Sequence, residues 1–132
     1  MYQIVVPVDD DVNRAAAQAR HVTELPGEPT EVSVTVAHAY RDTNRTDENP
    51  DEESPAVIKA VEYLRDAGLA VEQRELYFPV AEGILELATD IEADAIVMSG
   101  RKRSPAGKAM FGSVTQSVIL DGTVPVTVVA VE

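Results

Sequence analysis

A chain of 132 residues is the size of one domain and can bury roughly two-thirds of its unfolded surface without a metal or disulfide to hold it together. It contains no cysteine, which excludes disulfides, thiolate metal sites and thiol redox chemistry. With 23 acidic against 11 basic residues and a formal net charge of −12, its surface repels duplex nucleic acid and anionic membranes, and neither is expected as a partner.

Gln3 to Val8 is nearly all apolar, the pattern of a central parallel strand covered on both faces. The opening MYQIVVPV has neither a basic n-region nor a long apolar stretch, and no apolar run approaches a membrane span, so a cytoplasmic protein is expected. Asp9, Asp10 and Asp11 follow the strand. A helix is predicted from about Asp11 to Leu25, with Val12, Ala15, Ala16, Ala19 and Val22 at helical spacing, Asp11 able to cap it, and Pro26-Gly27 stopping it. Glu31 to Ala39 alternates and is β-branched, giving a second strand.

Residues 41–53 carry six acids and no aliphatic side chain larger than that of threonine, so a flexible acidic loop is expected there. Ser54-Pro55 starts a second helix, with Val57, Ala60, Val61 and Leu64 on one face and Gly68 at its end. Leu69 to Tyr77 reads as a third strand, polar enough to lie near an edge. Val80 to Ile91 gives a third helix with Ile84, Leu85, Leu87, Ala88 and Ile91 inward.

Ala95 to Ser99 is the fourth strand, and a turn-rich loop with Gly100, Pro105, Gly107 and Gly112 leads to a helix over Ser113 to Leu120. Ser113 and Gln116 have capping-box spacing. Four of the 11 basic residues, Arg101, Lys102, Arg103 and Lys108, crowd this loop. Glycines feeding a helix N-terminus, where free N–H groups and the helix dipole converge, make an anion site physically reasonable, although a capped helix start and a solvated basic loop need no ligand. The loop is not a P-loop, because six residues separate Gly100 from Gly107 and Lys108 is followed by Ala109. Val124 to Val131 is a last strand, apolar on both faces. Alternation of strands and helices throughout predicts an α/β fold with a doubly wound parallel sheet of five strands and right-handed crossovers.

The stretch from Met98 to Ser113 resembles the signature loop of the universal stress protein family, in which a strand ending in Met-Gly leads into Gly-x2-Gly-x9-Gly-[Ser/Thr] and a helix. Gly112-Ser113 match the final pair, while Ser99 and Lys102 stand where the first two glycines fall. The resemblance runs from Ile4-Val5-Val6-Pro7-Val8-Asp9 to the last strand and makes residues 1–132 one such domain. It implies strand order 3-2-1-4-5 and a crevice outside the carboxyl ends of strands 1 and 4. It further implies ATP or a related adenine nucleotide, held by Pro7, Val8 and Asp9, by Ala39, by Met98, Ser99, Gly100 and Lys102, and by Gly112, Ser113 and Val114. A side chain at Lys102 either crowds the phosphates or supplies a charge-assisted contact to them. The resemblance also implies a homodimer in which the last strand, through Val126, Val128, Val129 and Ala130, pairs with its copy at the sheet edge.

The residues themselves leave alternatives open. Asp9 can be a solvated strand-end acid or a helix cap; three aspartates in a row can hold Mg, though adjacent side chains point different ways. His21 and His38 have no ligand spacing, and a lone histidine at a strand end is more often structural. No acid–base or covalent catalysis is expected. The competing readings are a regulatory nucleotide-binding domain, a dimeric interaction module of the same fold without nucleotide, and a slow nucleotide hydrolase. Eight arginines, three lysines and the acid excess further resemble proteins adapted to a cytoplasm of molar salt, where screening over about 3 Å makes self-repulsion tolerable.

Overall fold

The computed structural model describes residues 1–39, 54–103 and 108–131, with the backbone alone at 101–103 and 108–110. In chain order the elements are β1 (Tyr2–Val8), α1 (Val12–Thr23), β2 (Val32–His38), α2 (Pro55–Asp66), β3 (Ala70–Glu75), α3 (Val80–Asp90), β4 (Ala95–Arg103), β5 (Lys108–Met110), α4 (Ser113–Asp121) and β6 (Val126–Val131), with a 3-10 turn at Pro29–Glu31. The acidic segment 41–53, expected to be a flexible loop, lies outside the described residues, as do the side chains of Arg101, Lys102, Arg103 and Lys108.

Five strands run parallel in the order β3-β2-β1-β4-β6, which is the expected 3-2-1-4-5 order counted over the parallel strands. The apolar run of β1 has the physical cause inferred for it, because both of its faces are covered. Ile4, Val6 and Val8 join one buried cluster with Ala15, Ala19 and Val22 of α1 and Ala60, Val61 and Leu64 of α2. Val5 points the other way, into a second cluster with Ile84, Leu87 and Ala88 of α3, Ile96 and Met98 of β4, and Val118 of α4. Period-two alternation along a strand with helices on both sides thus yields two cores divided by the sheet. No helix among the described residues is long and apolar enough to cross a membrane.

Two local expectations are corrected. The residues after Ser99, read as loop, continue β4 to Arg103 and pair antiparallel with β5, in the register Arg101↔Met110, Lys102↔Ala109 and Arg103↔Lys108. The ladder supplies backbone partners where β4 outruns β1, a demand that side-chain pattern does not reveal. The capping box at Ser113 and Gln116 is also absent. The chain enters α4 through Gly112, whose φ of −68° and ψ of 167° are those of an N-cap residue, and no side chain caps the helix. The Gln116 N–H that Ser113 was expected to hold donates instead to the Gly112 carbonyl at 3.0 Å. Gln116 Nε2 reaches back to the Phe111 carbonyl at 3.0 Å. Ser113 is therefore one residue too far into the helix to cap it.

Candidate functional site

The site begins where β1 and β4 part. They are joined at their start, where Asp94 N–H donates to the Gln3 carbonyl at 2.7 Å and Gln3 N–H to Asp94 Oδ2 at 2.8 Å, and they pair at Ile4↔Ala95 and Val5↔Ile96. Beyond that the two strands diverge. Gln18 of α1, fully buried, bridges the fork: its Nε2 donates to the Pro7 carbonyl at 2.6 Å and to the Val97 carbonyl at 3.0 Å. One side-chain amide thus satisfies two carbonyls that no longer have each other's strand as partner.

Past the fork lies a cavity of about 570 Å³, large enough for a small-molecule ligand. Much of its lining comes from four places in the chain: Pro7 to Asp10 at the end of β1 and just after it, Ala39 after β2, Met98 to Gly100 of β4, and Phe111 to Thr115 at the start of α4. Leu76, Phe78, Val80 and Ile84 close one side and Arg14 of α1 another. The fold brings Pro7, Val8, Asp9, Ala39, Met98, Ser99, Gly100, Gly112, Ser113 and Val114 together around this space, although they span more than a hundred positions of sequence. The side chain of Lys102 lies outside the described residues.

The three aspartates have separate tasks. Asp9 Oδ2 receives both Nε and Nη2 of Arg14, at 3.0 and 2.7 Å, while its Oδ1 accepts the Asp11 N–H at 2.9 Å. Asp11 caps α1, its Oδ1 accepting from the Arg14 N–H at 3.0 Å. Asp10 Oδ1 meets Nε2 of the buried His38 at 2.9 Å, which ties the turn after β1 to the end of β2. Adjacent acids do point different ways, and among the described residues no group of three or more His, Cys, Asp or Glu is placed to hold a metal ion.

The first turn of α4 has backbone N–H groups without helical partners and no side-chain cap, and Gly112, Ser113, Val114 and Thr115 line the cavity there. The dipole places positive potential at that point. Thr115 is buried, and its Oγ1 lies 3.5 Å from the Ser99 carbonyl, tying α4 to β4 beside the cavity. Arg14 is the one cation among the described lining residues.

A further support lies behind the cavity. The Tyr77 hydroxyl donates to Glu86 of α3, and this bond, with burial and neighbouring acids adding to it, pushes the Tyr77 pKa up to about 12. Gly83 sits under the same segment: a Cβ there would lie 2.6 Å from the Tyr77 carbonyl oxygen, so α3 can approach only because residue 83 has no side chain. Gln18, Arg14, Thr115, Phe78 and Phe111 were all missed as site residues. Only Gln18 carried a signal in the sequence, a polar side chain at the helical spacing of Ala15, Ala19 and Val22.

A family model described as the universal stress protein family matches residues 1–130. A universal stress protein from Archaeoglobus fulgidus is 33% identical, with 97% of this chain and 98% of that one covered and a TM-score of 0.74. A second protein of that name from the same organism, solved in complex with dAMP, is 26% identical over 97% of each chain, with a TM-score of 0.65. A family protein from Arabidopsis thaliana with AMP bound shares the fold at 11% identity and a TM-score of 0.66, over 100% of this chain and 93% of its own. No curated protein matches the sequence.

Proposed function

The chain belongs to the universal stress protein family, and on that premise we propose that it binds ATP or a related adenine nucleotide in the crevice between β1 and β4, as a regulatory rather than catalytic protein. The observation that carries this reading is the uncapped start of α4, which opens into the same cavity as Asp9, Ala39 and Met98. The N–H groups of Gly112, Ser113 and Val114 would hold the phosphates. Pro7, Val8, Asp9 and Ala39 would border the adenosine, with Met98, Ser99 and Gly100 beneath it. Lys102 would add a charge-assisted contact, and Mg would arrive on the phosphate oxygens rather than in a protein cage. The relatives described with dAMP and AMP support an adenine ligand.

A second reading, a dimeric interaction module without nucleotide, is favoured by Ser99 and Lys102 standing at the positions of two family glycines. Both readings share a homodimer: β6 pairs only with β4 among the described residues, leaving Val126, Val128, Val129 and Ala130 on an edge that a second copy would cover. A Val128→Lys chain that still sediments as a dimer would refute that edge. The acid excess is read as adaptation to a cytoplasm of molar salt, which predicts stability rising with KCl.

The deciding experiment is the ultraviolet spectrum of protein purified in molar KCl, with chromatography of an acid extract. The chain has no tryptophan and four tyrosines, so bound adenine would dominate absorption near ~260 nm. A stoichiometric adenine nucleotide supports the first reading. An empty protein that also ignores added Mg-ATP transfers the function to the dimer surface.

A further inference from the structure

The chain contains two phenylalanines, and neither is in a core. Phe78, on the connection from β3 to α3, is 55% exposed, and Phe111, just ahead of α4, is 40% exposed. Both line the same cavity, although 33 positions of sequence separate them. An exposed aromatic ring forgoes the burial that ordinarily stabilises it, and here that happens twice at one site, beside the apolar surface of Val80 and Ile84. The segment carrying Phe78 is held from behind by the bond between Tyr77 and Glu86 and by the close approach of Gly83, while Gln116 holds the Phe111 carbonyl.

We propose that Phe78 and Phe111 form an aromatic pincer that stacks on the planar base of the ligand, so that the cavity selects a heteroaromatic base and not merely a phosphate chain. The inference rests on the nucleotide reading above and deepens it. The anion is taken by the start of α4, and the rings add a contribution that depends only on the base. Stacking has the right chemistry for this, because a base presents a π-face to a ring without any demand for a matched hydrogen bond.

The test compares ATP with inorganic tripolyphosphate, titrated calorimetrically in molar KCl against the wild-type chain and against Phe78→Leu, Phe78→Ala and Phe111→Ala. Each substitution is expected to weaken ATP about tenfold and to leave tripolyphosphate unchanged. Leucine keeps apolar bulk at position 78, so a loss in that variant reports the ring rather than local packing. Because the chain has no tryptophan, Phe78→Trp supplies a single tryptophan, whose emission should be quenched by ATP and not by tripolyphosphate. A wild-type chain that takes no ATP overturns the nucleotide reading and the pincer with it. A wild-type chain that binds ATP, with all three variants within twofold of it, overturns the pincer alone. The pincer also falls if the variants change only the sedimenting species, since the rings would then belong to a contact between chains.

Discussion

Two of the helices that start beside the cavity, α1 and α4, begin in opposite ways. α1 is closed by its own chain: Asp11 caps it, and Asp9, beside that cap, is occupied by Arg14 from the next turn. α4 starts at Gly112 with no side-chain cap, and the serine that follows is already inside the helix. Both starts carry the same dipole and the same unpaired N–H groups, so the difference lies in who satisfies them. At α1 the answer is written in the local sequence; at α4 the N–H groups are left to water or to a ligand. α3 also starts beside the cavity without a side-chain cap, but Glu82 stands in its first turn, whereas the first turn of α4 carries no acid, so α4 is the start that stays attractive to an anion in a strongly acidic protein.

That contrast matters only while the fork between β1 and β4 is held open, and Gln18 does that. Replacing it with leucine leaves the Pro7 and Val97 carbonyls buried without their donor. The expected cost is about 2–4 kcal/mol of folding stability, read from urea unfolding in molar KCl, because each orphaned buried group costs about 1–3 kcal/mol. A loss below about 1 kcal/mol would mean that water or a neighbour replaces the amide. Next in size, Gly112→Asp would make α4 resemble α1. A Cβ at residue 112 meets nothing within 4 Å, so the side chain can be accommodated. The new carboxylate would cap the helix and repel phosphate, lowering ATP affinity at least about tenfold while the melting temperature holds or rises by a degree or two. Unchanged ATP affinity would remove α4 from the binding account.

The reciprocal change, Asp11→Ala, removes the cap from α1. It should cost about 1 kcal/mol of stability and leave ATP affinity within about twofold. A large loss of affinity would show that the two helix starts act together. The smallest effect concerns Tyr77. Its folded pKa is raised from 10.0 to about 12 by the bond to Glu86, so the stability it contributes is complete below pH 10 and is lost as pH rises through about 12. Absorbance titration near ~295 nm should show a tyrosine step near pH 12 that Tyr77→Phe abolishes. If that step persists in the variant, it belongs to another tyrosine and the Tyr77 hydroxyl is not the shifted group.

Much of this fold was legible because its signals are local. The both-sided apolar run of β1, the Asp11 and Ser54 caps, and the periodic faces of α1 to α3 each need only a window of sequence. Ser54 accepts from the Ala56 N–H, and Pro55 occupies the first turn, as the dipeptide suggested. The errors arose where two distant pieces decide the outcome. Whether Ser113 or Gly112 caps α4 depends on the angle at which the chain leaves β5. The continuation of β4 depends on a partner strand of three residues that has no pattern of its own. Phe78 and Phe111 look like ordinary aromatics in sequence, and only the fold shows that they share a cavity.

Gly83 has a consequence for inheritance rather than for binding. It does not line the cavity, yet any side chain there must displace the Tyr77 backbone and with it the segment that presents Phe78. A genetic selection for altered ligand preference should therefore recover changes at residue 83, and their suppressors should lie along the 76–79 segment instead of among the residues that face the cavity.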